Sequence, residues 1–298
     1  MNEGLRHLEG TFNLLTNAFF TKSGIRSCVC HFFIVILRRK SQNNMRIVII
    51  GAGSVGQNLH HGLSLKGVRA ELIHARPLTA NPLNSNPLIP EGDCYIYAVA
   101  DHALREVVSK VHAPKALHLH TSGTMPIEVF GEDKPHAGVL YFLQSFSREA
   151  LIDEWSGIPV FIEGRNIDDV AAIYTLAQTL SSRIYECTQR DRERLHIAGV
   201  FANNYTNLMY RMAAEILKDT QLPFEALLPL IDRTAEKVHE MSPRDAQTGP
   251  AKRGDDAVIA HHKDVISDLK LQISDFSAEE MREVYQALAA LIEKAHNH

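Results

Sequence analysis

Cysteine is scarce: the 298 residues hold four, Cys28, Cys30, Cys94 and Cys187. That is too few for a disulfide scaffold, and no C-x-x-C pair offers zinc-ligand spacing, so a reducing cytoplasm is the expected setting. Long apolar runs are also missing. The longest, CVCHFFIVIL at 28–37, has ten residues, whereas a membrane-spanning helix needs roughly 20. Arg38-Arg39-Lys40 follow this run, where a secretory signal would carry its positive charge first. Neither a membrane span nor an export signal is expected. The chain has no basic excess: 31 Lys and Arg stand against 35 Asp and Glu, for a net charge of −4 and a pI near 6.5. Phosphate-backbone binding needs such an excess, so nucleic acid is not an expected partner. The 16 histidines include the neighbours His60-His61 and His261-His262, but neither pair sits in the H-E-x-x-H arrangement that puts two ligands on one helix face. No metal is expected.

What is present is ordinary for a globular chain, 45% hydrophobic and 22% charged. At about 150 residues per domain the length corresponds to two domains. The sequence changes character at Met45, where Arg46-Ile47-Val48-Ile49-Ile50 is β-branched and reads as a buried strand. Met45 is therefore the expected natural start, with residues 1–44 outside the fold. A short membrane-surface or partner-binding segment is the competing reading of 1–44.

Directly after that strand come Gly51, Ala52, Gly53, Ser54, Val55 and Gly56, and then a stretch able to continue as a helix. This is G-x-G-x-x-G in the strand–turn–helix context that dinucleotide binding requires. The first glycine permits the tight turn, the second lets a diphosphate approach the backbone, and the third allows close helix–strand packing. Phosphate oxygens then meet unpaired N–H groups at the helix N-terminus. The second strand, VRAELIH at 68–74, should end on an acidic residue in an NAD enzyme, yet the chain reads His74-Ala75-Arg76-Pro77. A guanidinium there can pair bidentately with a ribose 2′-phosphate, which favours NADP(H) over NAD(H). An exposed strand-end arginine is the plainer alternative.

The alternation continues. CYIYAVA at 94–100 reads as a strand, with Asp101 as N-cap of a helix over 103–111. Residues 116–120 form another strand, which runs into Thr121-Ser122-Gly123-Thr124. Such alternation predicts an α/β domain with a mainly parallel sheet, whose ligands lie beyond the carboxyl ends of the strands. Val99, Ala100, Asp101, Thr121, Ser122 and Gly123 should thus line the cofactor crevice. An N-cap role for Asp101 and an ordinary turn at Ser122-Gly123 are the structural alternatives. Residues 81–90 read as a Pro/Asn-rich surface loop, 139–142, 158–163 and 183–187 as strands, and 168–180 as a helix. The domain boundary falls near Arg190, giving 45–189 and 190–298.

The second part carries helical spacing throughout. A helix over 192–218 has one apolar stripe expected in the core: Leu195, Ala198, Phe201, Ala202, Tyr205, Leu208, Met209 and Met212. At 100° per residue His196, Asn203 and Asn207 fall within about 40° of one another, forming a polar line. Buried without partners, such groups cost about 1–3 kcal/mol each, so the line calls for a ligand or for bonds to neighbouring loops. In the loop at 248–255, Asp255 or Asp256 can cap the helix that follows. Lys252 and Arg253 beside that N-terminus can hold an anion, or are plain solvated charge. A final amphipathic helix spans 278–296.

GAGSVG at 51–56, HTSGT at 120–124, LQSFS at 143–147, LHIAGVFANNYTNL at 195–208 and TGPAKRGD at 248–255 together resemble one group of Rossmann-like proteins. The helical C-terminal half of that group is known as a domain of unknown function. The group is related to pyrroline-5-carboxylate reductase, ketopantoate reductase and the β-hydroxyacid dehydrogenases. The resemblance covers about 45–298. It implies an NADP-type oxidoreductase with a Rossmann domain followed by an all-α domain, an active site between the halves and a homodimer formed largely through the helical domain. Two departures stand out. β-Hydroxyacid dehydrogenases carry a lysine four residues before an asparagine on the first long helix; counting back from Asn203, this chain has Gly199. Many members of the nearer family place His-Pro or Tyr-Pro before the Leu-Gln motif, where this chain has Tyr141-Phe142.

The reading that follows is reversible hydride transfer between NADP(H) and a small carbonyl or imine compound. The cofactor would lie along Gly51 to Gly56 and Arg76, with its nicotinamide near Ser122-Gly123. His196 would donate the proton in reduction, since imidazole exchanges protons near neutrality. Asn203 and Asn207 would orient the substrate, Gln144, Ser145 and Ser147 would line the opposite wall, and Arg253 would anchor a substrate carboxylate. The alternative is a catalytically inactive dinucleotide-binding regulatory or scaffold protein, which the missing lysine favours.

Overall fold

The computed structural model describes residues 45–76, 89–218, 220–269 and 276–296. The expectations for 1–44 and for most of the loop at 81–90 lie outside the described residues. The chain divides into two compact units, one running to Ala198 and one from Gly199.

The first unit contains β1 (Ile47–Ile50), α1 (Ser54–Leu65), β2 (Ala70–Ile73), β3 (Cys94–Tyr97), α2 (Asp101–Ser109), β4 (Leu117–His120), β5 (Ala137–Phe142), β6 (Val160–Gly164), α3 (Ile167–Ala177), β7 (Ile184–Glu186) and the start of α4 (Gln189–Gly199). The seven strands form one sheet in the order β2-β1-β3-β4-β5-β6-β7. All neighbours are parallel except β5 and β6. This is the Rossmann-like α/β arrangement the sequence predicts, with most strands a residue or more shorter than expected, β5 beginning two residues earlier and β6 ending one residue later.

Every residue of β1 and β3 is buried, because helices cover both faces of the sheet and a β-branched run suits that environment. Successive side chains go to opposite faces. Ile47, Ile49 and Ile96 pack with Leu59 and Leu63 of α1 and with Trp155. Val48, Ile50, Tyr95 and Tyr97 pack with Leu104, Val107 and Val108 of α2 and with Phe130. In register, Ile50 pairs with both Ile73 and Tyr97, and Tyr97 pairs with His120. The carboxyl ends of β2, β1, β3 and β4 are therefore level, which brings the loops that follow them to one edge.

The segment after β5 is fastened to α1. Asn58, fully buried, donates from Nδ2 to the carbonyls of Ser54 at 2.9 Å and Ser147 at 2.6 Å, while its Oδ1 accepts from the Ile152 amide at 2.9 Å. His61 Nε2 lies 2.7 Å from Asp153 Oδ1. Trp155, with no exposed surface, sits over Gly62, where an added Cβ would come within 2.5 Å of the indole.

The second unit opens with a π-helical segment, Val200–Tyr205, followed by α5 (Thr206–Leu217), α6 (Leu228–Glu240), α7 (Pro243–Ala246), α8 (Pro250–Arg253), α9 (Asp256–Ser267) and α10 (Ala278–His296). Within it α10 packs against α8 and α9. Asp255 caps α9 as expected, accepting from the Val258 amide at 3.3 Å. The apolar stripe expected in the core is a correction: Phe201 is 65% exposed and Tyr205 49%. Among the described residues of this unit only Ala251, Ile266, Met281 and Ala289 are buried and apolar, so the unit lacks the mass to cover the stripe. No described helix is long and apolar enough to cross a membrane.

The Gly62 contact generates a stability test. Overpacking a filled site costs about 1–3 kcal/mol, so Gly62→Ala should lower the urea midpoint by a corresponding amount. A midpoint equal to that of the parent would mean the indole moves aside freely.

Candidate functional site

The glycine loop is shaped by three different needs. Gly51 has φ +118°, and a Cβ there would lie 2.2 Å from the Ala98 carbonyl oxygen. A Cβ on Gly56 would lie 1.8 Å from the Gly51 carbonyl oxygen. Both positions are closed by backbone. Gly53 differs, since the nearest atom to its Cβ position is Arg148 Nη2 at 3.8 Å. Gly53 is also the N-cap of α1 and offers no capping side chain, so the first-turn amides face the space before it.

That space is a cavity of about 430 Å³. Gly53, Ser54 and Val55 form one wall, Ala98, Val99 and Ala100 follow β3, and Thr121, Ser122 and Gly123 follow β4. Tyr141 and Phe142 at the end of β5, then Gln144 and Phe146, form the other side, and His196 of α4 completes the lining. All belong to the first unit.

The loop after β4 is tightly specified. Ser122 Oγ accepts from the amides of Thr124 at 3.1 Å and Met125 at 3.0 Å, and the Ser122 amide donates to His120 Nδ1 at 3.2 Å. A Cβ on Gly123 would fall 2.7 Å from the His196 ring, so glycine lets the imidazole lie against this loop. His196 Nδ1 is 3.1 Å from Tyr141 Oη, with the rings edge-on. Burial raises the pKa of the Tyr141 hydroxyl, and the charge of Arg192 opposes that shift.

Arg192, one helical turn before His196, is fully buried. Its Nη1 pairs with Glu163 of β6 and its Nη2 donates to the Met125 carbonyl at 2.7 Å. His120 is buried too. Desolvation and then the Arg192 charge push its pKa from 6.5 down to about 3, against the pull of Asp101.

Of the residues named from sequence, Gly53, Ser54, Val55, Val99, Ala100, Thr121, Ser122, Gly123, Gln144 and His196 line the cavity, while Gly51, Ala52 and Gly56 shape the loop beneath. Arg76 is exposed three residues beyond β2 and is not in the lining. Asp101 is a correction: Ala100 is the N-cap and Asp101 the first helical residue, because the chain turns one residue early. Its carboxylate accepts from Thr124 Oγ1 at 2.5 Å. Ser145 and Ser147 are not in the lining. The Ser145 amide donates to Gln144 Oε1, and Ser147 Oγ donates to Glu149 at 2.5 Å. Asn203, Asn207 and Arg253 belong to the second unit and are exposed. The polar line was counted at 100° per residue, a step that does not hold through the wider turns of 200–205, and the two exposed amides carry no burial cost. Sequence reasoning missed Arg192, Tyr141, Phe142 and Phe146 as parts of the site. The signals available were the spacing of Arg192 to His196, one turn, and the position of Tyr141, Phe142 and Phe146 in or beside the LQSFS motif at 143–147.

A parallel sheet with level carboxyl ends and a glycine loop opening onto a cavity defines a Rossmann-type NAD(P)-binding domain. A family described as "Domain of unknown function (DUF2520)" matches residues 158–292. A Bacteroides fragilis protein described as a candidate NADP oxidoreductase is 35% identical over 85% of this chain and 99% of its own, with a TM-score of 0.72. The chain belongs to this family of Rossmann NAD(P)-binding oxidoreductase-fold proteins with a DUF2520 C-terminal domain. Two more distant structures share the fold. An imine reductase from Streptomyces aurantiacus is 12% identical over 83% of this chain and 95% of its own, TM-score 0.56. Pyrroline carboxylate reductase from Plasmodium falciparum, solved with NADP bound, is 13% identical over 86% and 99%, TM-score 0.50. No curated protein sequence matches the chain.

His120 makes stability pH-dependent with a definite sign. At neutral pH it is unprotonated in both states. Below about 6.5 the unfolded chain takes up the proton while the folded chain refuses it until about pH 3. Stability is therefore lost on acidification, by up to about 1.4 kcal/mol per pH unit. His118, also lowered by burial, adds to the slope. Urea unfolding at several pH values should show a shallower acid limb in His120→Gln than in the parent; an equal slope would contradict this.

Proposed function

We propose that the protein is an NADP(H)-dependent oxidoreductase acting on a small carbonyl or imine compound. The observation that carries this reading is the cavity over Gly53: two glycines are closed by backbone, and the one between them opens onto the space before the α1 amides. That arrangement fits a diphosphate. Gly51 to Gly56 would hold it, and Arg76 would take a ribose 2′-phosphate. Val99, Ala100 and the Thr121-Ser122-Gly123 turn would support the nicotinamide end. When bound, a reduced nicotinamide supplies hydride to the carbonyl or imine carbon.

The chain's own task is the proton that balances the hydride. As an imidazolium, His196 would donate its Nδ1–H to Tyr141 Oη, 3.1 Å away, and pass its Nε2 proton to the substrate oxygen or nitrogen, leaving a neutral imidazole. Gln144 lies in the lining to hydrogen-bond the substrate, and Phe142 and Phe146 exclude water. Asn203, Asn207 and Arg253 are assigned to the substrate on sequence grounds alone. Exposed Phe201, Tyr205, Leu230 and Leu291 support a homodimer formed through the second unit, and the few cysteines suit a reducing cytoplasm. One observation favours a second reading, a binding protein without turnover: Gly199 stands where β-hydroxyacid dehydrogenases carry their lysine.

Thermal-shift titration tests the cofactor. A ligand at a hundred times its Kd stabilises by about 2.7 kcal/mol, so NADPH should raise Tm and do so at lower concentration than NADH. Arg76→Ala should erase that preference. Absence of a shift with either nucleotide overturns the proposal.

Turnover separates the two readings. On a panel of carbonyl and imine compounds, His196→Ala should keep NADPH binding and lose about 10²–10⁴-fold in rate. Equal rates exclude His196 as the acid, and a parent that is inactive across the panel supports the second reading.

A further inference from the structure

We propose that Arg148, in the segment after β5, is a second diphosphate-binding group, acting beside Gly53 together with the α1 amides. This inference rests on the dinucleotide reading above and adds to it a residue that the glycine motif does not contain.

Three observations lead to it. The first is position. Arg148 Nη2 lies 3.8 Å from the point a Cβ of Gly53 would occupy, and apart from Gly53 and its chain neighbours no other atom lies within 4 Å of that point. The guanidinium is therefore what the open side of Gly53 meets. The second is availability. The Arg148 side chain is exposed and makes no hydrogen bond among the described residues. The neighbouring acid, Glu149, feels the Arg148 charge, but its carboxylate is engaged by Ser147 Oγ at 2.5 Å. An arginine has five N–H donors in a planar fork, and here they await an acceptor.

The third is how the backbone that carries Arg148 is held in place. Asn58 bonds the Ser147 carbonyl and the Ile152 amide, on either side of Arg148, and also the Ser54 carbonyl in the first turn of α1. Phe146 packs on Phe142 and Trp155, with ring centroids 6.3 and 5.6 Å away. Trp155 in turn fills the notch at Gly62. The backbone of the loop is thus set against the same helix whose N-terminus faces the cavity.

Arg148 is not itself in the cavity lining, but a diphosphate before Gly53 would lie within reach of both the α1 amides and this guanidinium, whose fork can pair bidentately with phosphate oxygens. NADPH and NADH share the diphosphate and differ at the ribose 2′-position. Arg148 therefore sets affinity for both, whereas Arg76 sets the preference between them.

Calorimetric titration of the full chain with NADPH, NADH and 2′-AMP, which lacks the diphosphate, tests this. Arg148→Ala should weaken both dinucleotides by a similar factor, roughly ten- to a hundredfold, and leave 2′-AMP binding unchanged. Arg148→Lys should recover part of the loss, and the unliganded Arg148→Ala protein should melt with the parent. Equal NADPH affinity in parent and Arg148→Ala overturns the inference, as does a loss confined to NADPH and 2′-AMP or an unliganded variant that melts well below the parent. A parent that binds neither dinucleotide fails the cofactor reading first, and this inference with it.

Discussion

The carbonyl oxygen of Ala98 lies where a side chain on Gly51 would project, and the carbonyl oxygen of Gly51 lies where one on Gly56 would. These two contacts set how near α1 begins to the ends of β1 and β3. Any Cβ at either glycine would push the helix start outward, and the first-turn amides would no longer face the space before Gly53. The level ends of β2, β1, β3 and β4 depend on hydrogen-bond register; the closeness of the helix depends on those two missing side chains. Both are needed before the Thr121-Ser122-Gly123 turn and the α1 amides can border one cavity.

The opposite wall is built by long-range polar contacts. Arg192 joins α4 to β6 through Glu163 and to the loop after β4 through the Met125 carbonyl. Buried ion pairs lose much of their attraction to desolvation, and removing one partner is what costs most, about 3–5 kcal/mol. The pair is thus better understood as a device that fixes where His196 stands, one turn later, than as a source of net stability. His120 acts similarly from below, accepting the Ser122 amide while burial keeps its ring neutral. The places of His196 and of the Ser122 turn are therefore set by Arg192 and His120, neither of which is in the cavity lining.

Much of this was legible in the amino-acid order. The β-branched run at 47–50, the glycines after it and the alternation of apolar strands with helices specify a parallel sheet, because each is a local signal with a local cause. The failures are of another kind. Asn58 looks like any polar helix residue until Ser147 and Ile152, about 90 positions away, come to it. Arg192 gives no local hint that Glu163 is its partner. Counting at the α-helical step puts Asn203 and Asn207 on one line with His196, but the helix widens at 200–205, and Phe201 and Tyr205 of the expected core stripe are exposed among the described residues. Periodicity reports which side chains share a face; it does not report what that face meets.

Trp155 is the chain's one tryptophan, and it lies where the post-β5 segment is fastened to α1. Its indole donates to the Ile152 carbonyl at 2.8 Å and touches Phe142 and Phe146, two residues of the cavity wall. Indole emission depends on solvent access and on nearby rings, so the emission excited at wavelengths only the indole absorbs, beyond the reach of the eight tyrosines, is a single-site signal from this joint. The molecule carries its own optical label where the segment after β5 meets the helix of the nucleotide loop.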